Sequence, residues 1–374
     1  MKNKIYLSSP HMSDEGYEQK FVQEAFDTNW IAPLGENVNK FEEELAHMVD
    51  GGYGAALASG TSAIHMALMA AGVGKDDIVF CQDLTFSATA NPIIYQNAKP
   101  VFIDSDRKTW NMDPKALEEA FKKYPQVKAV LVVHLYGMSA DLDPIVDLCD
   151  KYGAVLIEDA AESLGTTYKG KHTGTFGSYG IYSFNGNKII TTSGGGMLVA
   201  KDKERVEKVR FWSTQARDQA RHYQHSEIGY NYRMSNVVAG IGRGQLRVLE
   251  DRVEKKRYIY NYYKEAFKDL ADLDLMPMND FNRANCWLTA MQVKGKIKPL
   301  DIILALEEEN IESRPVWKPM HMQPIFESYD YIGSGVSKEL FENGLCLPSD
   351  TKMTDEDLER VCQVIKSKYE EIYG

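Results

Sequence analysis

Short runs of β-branched and apolar residues alternate with helix-period stretches through the first half of the chain. Asp77-Ile-Val-Phe-Cys81, Pro100-Val-Phe-Ile-Asp104, Ala129-Val-Leu-Val-Val-His134 and Ala154-Val-Leu-Ile-Glu-Asp159 read as strands. Pro114 to Lys123 and Asp141 to Tyr152 read as helices between them. Continuous apolar runs separated by helices predict an α/β fold with a mostly parallel sheet covered on both faces. Tyr179-Gly-Ile-Tyr-Ser-Phe184 and Gly196-Met-Leu-Val-Ala200 extend that sheet, and Ala55-Ala-Leu-Ala58 is a small-residue strand before it. Val38, Phe41, Leu45 and Met48 have helical spacing. Ser235 to Phe267 predicts one long helix, with Ser235 as its cap and no proline inside. A loop-rich passage from Met276 then precedes an alternating strand, Trp287 to Val293. The change of pattern predicts two domains, a large one over 1–250 and a smaller α+β one over 251–374.

Composition narrows the function. The 374 residues are 44% hydrophobic and 26% charged, enough apolar surface for a large core and against extensive disorder. A net charge of −11 argues against nucleic acid as a partner, while leaving room for one anion in a local pocket. The segment Met1-Lys-Asn-Lys-Ile-Tyr-Leu7 lacks the apolar run of a signal peptide. No stretch approaches the roughly 20 apolar residues of a membrane span. The five cysteines, Cys81, Cys149, Cys286, Cys346 and Cys362, include no C-x-x-C pair. These features predict a reduced, cytoplasmic setting. His222 and His225 lack a third ligand, so no metal is expected.

Four segments of the large domain carry the chemistry. Ser59-Gly-Thr-Ser-Ala63 follows a strand and opens a helix, so its backbone N–H groups can face an anion; alone it is also an ordinary helix cap. Asp159 ends a strand, where ligand sites of open α/β sheets lie. A carboxylate there suits either a protonated ring nitrogen or a helix cap. Tyr182-Ser-Phe-Asn-Gly-Asn-Lys188 ends a strand in a hydroxyl and delivers a lysine from a polar turn. Lysine forms a reversible imine with a carbonyl when burial or a nearby cation depresses its pKa; on a surface it is only a solvated charge. The glycines of Ile189-Ile-Thr-Thr-Ser-Gly-Gly-Gly196 allow backbone to approach a ligand closely. Asp83-Leu-Thr-Phe86 places an aromatic at the same sheet edge, for stacking on a flat ring or for the core. Phosphate, ring nitrogen, carbonyl and ring face together describe pyridoxal phosphate.

These segments, in order, resemble the DegT-type nucleotide-sugar aminotransferases, a sugar-modifying branch of fold type I pyridoxal phosphate enzymes. The resemblance covers nearly the whole chain. It also includes Trp30-Ile-Ala-Pro-Leu-Gly35 with Val38 and Phe41-Glu42, Glu158-Asp-Ala-Ala-Glu-Ser-Leu-Gly165, and Gly229-Tyr-Asn-Tyr-Arg-Met234. It implies a seven-stranded, mostly parallel sheet between helices. It implies that Lys188 bonds to the cofactor and shuttles the proton, that Asp159 holds the pyridine nitrogen, and that Phe86 stacks on the ring. Gly60, Thr61 and Ser183 would bind the phosphate, with Asn231 supplied by the partner in a homodimer. Glu162 stands where relatives often carry Gln or His near the ring hydroxyl, and it could face the sugar instead.

The lysine segment Asn185 to Met197 resembles C-4 aminotransferases more than the Tyr-Pro-x-Lys-Asn-Leu type found in relatives that act at C-3. Phe211-Trp-Ser-Thr-Gln-Ala-Arg217 and Glu312-Ser-Arg-Pro-Val-Trp-Lys-Pro-Met-His321 resemble the bacillosamine-pathway branch of the family. That implies transfer from glutamate to a UDP-linked 4-keto-6-deoxy-N-acetylhexosamine. Asn29, Trp30, Ile31, Ala32, Gly60, Tyr182, Arg314, Pro315, Val316, Trp317 and His321 would then line the sugar-nucleotide pocket. Arg314 suits a diphosphate clamp; simple packing is the alternative for Trp317 and His321. A dehydratase of the same fold would replace the lysine with histidine, and a regulatory module would not need the whole set.

Overall fold

The computed structural model describes residues 3–374, so Met1 and Lys2 of the N-terminal segment lie outside it. Two helices lead in, α1 (Tyr17–Asp27) and α2 (Glu36–Met48). The large sheet takes β1 (Tyr53–Leu57), β2 (Ile78–Gln82), β3 (Lys99–Ile103), β4 (Ala129–Val133), β5 (Val155–Asp159), β6 (Tyr179–Ser183) and β7 (Gly196–Ala200). Between them run α3 (Gly60–Ala70), α4 (Ser87–Tyr95), α5 (Pro114–Lys123) and α6 (Leu142–Tyr152). Every residue of β4, at the sheet's centre, is buried, as expected where helices cover both faces.

The chain continues through α7 (Lys203–Ser213), α8 (Asn236–Leu246) and α9 (Leu249–Phe267). It then forms β8 (Leu273–Leu275), β9 (Thr289–Val293), α10 (Pro299–Glu308), β10 (Arg314–Pro315), β11 (Tyr331–Ile332), α11 (Val336–Asn343), β12 (Gly344–Leu347) and α12 (Asp355–Tyr373). The large sheet has the order β1-β7-β6-β5-β4-β2-β3-β11. From β6 to β11 all pairs are parallel, and β7 runs antiparallel to both its neighbours. The sheet therefore has eight strands: seven of five residues, plus the two-residue edge strand β11 paired with Phe102 and Ile103. The second sheet, β8-β9-β12-β10, is antiparallel.

The expected single helix from Ser235 to Phe267 is two helices. Val248 (φ −112°, ψ 9°) leaves helical geometry between them. The cause lies in Gly240, Gly242 and Gly244, which let α8 press against α1 and α2. A Cβ on Gly244 would meet the Glu18 nitrogen at 2.5 Å, and one on Gly242 would meet the Phe41 ring at 2.5 Å. With α8 held there, α9 turns away and runs from one core into another. Leu249 and Val253 pack with Phe41, Phe184 and Met197, whereas Ile259, Tyr263 and Phe267 pack with Met291, Leu345 and Val361. Ile5, from the other end of the chain, joins that second core. Among the described residues no helix is long and apolar enough to cross a membrane.

Candidate active site

Parallel strands put their carboxyl ends on one edge. Asp159 ends β5 and Ser183 ends β6 at that edge. Because β7 is antiparallel, its first residue, Gly196, pairs with both Ser183 and Leu57. The start of α3, Asp159, Ser183 and the Lys188 turn therefore converge at that edge. A cavity of about 650 Å³ opens there, lined by Gly60, Thr61, Phe86, Asp159, Glu162, Ser183 and Lys188 on the sheet side. Leu7, Trp287, Glu312, Arg314, Pro315 and Trp317 line its other side.

The start of α3 is tied off locally. Ser59 Oγ accepts from the Ser62 N–H at 3.0 Å, and Ser62 Oγ accepts from the Ser59 N–H at 3.0 Å. This reciprocal cap leaves the first-turn N–H groups of Gly60 and Thr61 without helical acceptors, and Gly60, Thr61 and Ser183 all line the cavity. Two glycines make the approach possible. A Cβ on Gly196 would meet the Ser59 carbonyl carbon at 2.4 Å, and one on Gly60 would meet Ser183 Cβ at 3.1 Å. The result is an anion cradle at a helix N-terminus.

Asp159 is buried and has two donors: Thr89 Oγ1 at 2.7 Å and the Ala161 N–H at 3.2 Å. Burial raises its pKa above the ordinary carboxylate value, and these bonds and the positive charge of Lys188 offset only part of that. A cation in the cavity would complete the site, which is what a protonated pyridine nitrogen supplies.

Lys188 leaves a turn closed by its own N–H to the Asn185 carbonyl at 2.8 Å. Its ammonium lies 3.7 Å from Glu162 Oε1 and 4.1 Å from the centre of the Trp287 ring. Glu162 Oε2 accepts from the Tyr136 N–H at 2.6 Å. Burial pushes the Glu162 carboxyl up to about 7, against the pull of Lys188. Glu162 therefore faces the lysine, deep in the cavity. Anion cradle, buried acid and half-enclosed lysine fit pyridoxal phosphate, with Phe86 at the mouth.

The other expected residues are distributed differently. Arg314, Pro315 and Trp317 do line the cavity. Trp317 packs its ring 5.5 Å from Phe86 and 5.1 Å from Tyr136. Tyr182 does not reach the cavity. It precedes Ser183 on one strand, so its side chain points to the opposite face, where it is buried and its hydroxyl donates to the Thr173 carbonyl at 2.6 Å. Val316 alternates away from Pro315 and Trp317 into the core. His321 is held at Asp83, with Nδ1 2.7 Å from Oδ2, and stacks on Tyr331. Asn29, Trp30, Ile31 and Ala32 are exposed on the connection between α1 and α2, where Trp30 borders a separate open cleft beside Asn236. Asn231 is exposed and lies outside the cavity of its own chain. Some contributors escaped the sequence reading. Thr89 sits one turn into α4, while Trp287 and Leu7 arrive from distant segments.

The fold and the cavity define a fold type I pyridoxal phosphate enzyme of the aminotransferase class. Residues 13–366 match the DegT/DnrJ/EryC1/StrS aminotransferase family, and the chain belongs to that family. EpsN of Bacillus subtilis (strain 168), named as a pyridoxal phosphate-dependent aminotransferase, is 55% identical over 98% of this chain and 96% of its own length. The GDP-perosamine synthase of Escherichia coli O157:H7 is 35% identical over 97% and 99%. A DegT DnrJ EryC1 StrS aminotransferase from Brucella abortus superposes with a TM-score of 0.88 at 28% identity, over 95% of this chain and 96% of that one. The chain is thus a sugar aminotransferase, and pyridoxal phosphate is its cofactor.

Proposed function

We propose that the enzyme moves the amino group of glutamate to C-4 of a UDP-linked 4-keto-6-deoxy-N-acetylhexosamine, releasing 2-oxoglutarate and UDP-4-amino-4,6-dideoxy-N-acetyl-glucosamine. The observation that carries the reading is the convergence of Lys188, the anion cradle, Arg314, Trp317 and Phe86 on one cavity. A basic fork beside two aromatics suits a diphosphate and a flat base. The bound cofactor supplies the carbonyl that takes the amino group and a ring that accepts the electron pair.

The chain's own groups do the rest. Asp159 would hold a protonated ring nitrogen. Gly60, Thr61 and Ser183 would hold the phosphate, and Phe86 would pack against the ring. Lys188, as a free amine, would take up a proton from the donor carbon at Nζ and give one back on the sugar side. Glu162, with a pKa near neutrality, holds or releases a proton 3.7 Å from that amine. Asn231 is exposed beside Tyr230 and Tyr232, whose rings pack on His65 of α3. In this reading it enters the site of a second copy, making the working unit a homodimer.

A second reading is a GDP-linked 4-keto-6-deoxy sugar, favoured by the GDP-perosamine synthase relative. Incubating the holoenzyme with glutamate and UDP-, GDP- and dTDP-linked 4-keto-6-deoxy sugars, with products identified by NMR, separates the two. A 4-amino product from the UDP sugar, at a kcat/KM at least about tenfold above the others, is expected. Preference for the GDP sugar replaces the first reading with the second. Amination at C-3 refutes both.

A further inference from the structure

Lys256 lies on α9, is 2% exposed, and has no carboxylate within ion-pair distance among the described residues. Burying an ammonium without a counter-ion is costly, and a methionine would fill the same space without that cost. Its surroundings show what it does. Nζ donates to Ser8 Oγ at 3.0 Å and to the Trp287 carbonyl at 2.9 Å. Both acceptor residues then converge on one atom. Ser8 Oγ donates to the Asn187 carbonyl at 3.2 Å, and Trp287 Nε1 donates to that same oxygen at 2.7 Å. Asn187 directly precedes Lys188, and the Trp287 ring lies under the Lys188 ammonium.

We propose that Lys256 is a positioning residue for Lys188. Through Ser8 and Trp287 it pins the Asn187 carbonyl, and with it the turn that aims the catalytic amine. The loop closes on itself: one ammonium, two intermediaries, one carbonyl. It also ties together three parts of the chain, namely the N-terminal segment, the approach to β9 and the lysine turn. Lys188 and Lys256 border the same small cavity.

The charged and titratable groups around Lys256 are Asp350, Cys286 and Arg252, with His11 bound to Asp350 at 2.5 Å. Burial pulls the Lys256 amine down to about 7, against the opposing effect of Asp350 and Cys286. The network can therefore weaken as pH rises through neutrality, when the amine keeps two N–H donors for Ser8 and Trp287 but loses the charge that strengthens both bonds.

The inference rests on Lys188 being the cofactor lysine. Borohydride reduction and peptide mapping check that separately. Label on another lysine fails that reading, whereas label on Lys188 with unchanged behaviour of the variants below fails this inference alone. For Lys256→Met, we expect full cofactor stoichiometry and a glutamate half-reaction about tenfold slower, with KM altered less than about threefold. We also expect amide exchange at residues 187–189 to be about tenfold faster in the cofactor-free full-length protein. Unchanged exchange and an unchanged rate overturn the proposal. If Lys256→Met does not fold, the cycle of Ser8→Ala with Trp287→Phe decides. Both variants cut bonds to the same carbonyl, so their effects should fall short of multiplying. No effect, or fully multiplicative effects, overturns the proposal.

Discussion

The two walls of the cavity are built differently. The cofactor wall is the carboxyl edge of a parallel sheet plus the first turn of α3, and its acids, Asp159 and Glu162, are 5% and 4% exposed. Each is fixed by named donors: Thr89, the Ala161 N–H and the Tyr136 N–H. The sugar wall of the proposed function is made of short segments, the two-residue strand β10 and the residues that follow it. There the Arg314 side chain is 67% exposed with one carboxylate neighbour. In the proposed function one wall holds the chemistry that every turnover needs, in geometry set by backbone pairing, and the other holds recognition groups on a short edge strand and the loop after it, which can change without disturbing the large sheet. Breaking each wall should therefore produce a different kind of defect.

The largest effect is expected at Asp159. Asp159→Asn keeps shape and most hydrogen bonding, but it cannot balance a ring-nitrogen charge. Both half-reactions should slow, by on the order of 10²–10³-fold, while the cofactor stays attached to Lys188. Stopped-flow absorbance with glutamate alone measures this without the sugar. A loss smaller than about fivefold would mean that the cofactor wall does not carry the chemistry.

The next effect is on stability, and it also belongs to the cofactor wall. The Glu162 carboxyl titrates near 7 when folded, against an ordinary value of 4.5. Between those values the folded chain keeps a proton that the unfolded chain has lost. The native state thus binds more protons there, and stability falls as pH rises through that window. Glu162→Gln removes the slope. In the cofactor-free protein the variant should be more stable than the parent at pH 8 by on the order of 2 kcal/mol, part of the gain being offset by loss of the Lys188 contact. At pH 4 the two should nearly coincide. Urea midpoints at pH 4, 6 and 8 give the answer, and parallel pH profiles would show that Glu162 does not hold a buried proton.

The same division explains what could be read from the sequence. Strand runs, the Ser59–Ala63 cap, Asp159 and Lys188 are legible because backbone pairing carries them to one edge whatever the side chains elsewhere do. Tyr182 was legible too, but against the expectation. Ser183 facing the cavity requires its neighbour on the strand to face the other way. Thr89 was not legible, since only the packing of α4 brings its hydroxyl to Asp159. Trp287 precedes β9 rather than opening it, after Cys286 takes a left-handed turn at φ 52°. No local pattern marks such a turn at a cysteine. His321 reads as a pocket residue, yet Asp83 at the end of β2 captures it. The helix break after α8 follows from glycines whose role is visible only once α1 and α2 lie against them.

The smallest effect, and the sharpest separation of the two walls, is expected at Arg314. Its Nη2 lies 2.9 Å from Glu312 Oε1, and Glu312 Oε2 accepts from the Leu7 N–H at 3.2 Å. An exposed pair of this kind contributes little to folding, so Arg314→Ala should leave thermal stability nearly unchanged. A diphosphate offers more acceptors than Glu312, and a guanidinium can exchange one partner for the other at little cost. Removing it should raise KM for the nucleotide sugar by about tenfold and change kcat less than about twofold, the mark of binding lost equally from ground state and transition state. Arg314→Lys should fall between, because a point charge cannot form the paired contact. The glutamate half-reaction supplies the control. If it slows along with the sugar reaction, Arg314 serves the cofactor wall as well, and the two walls are not separable. If KM for the sugar does not move, the diphosphate lies elsewhere, and the sugar wall must be redrawn around Trp317.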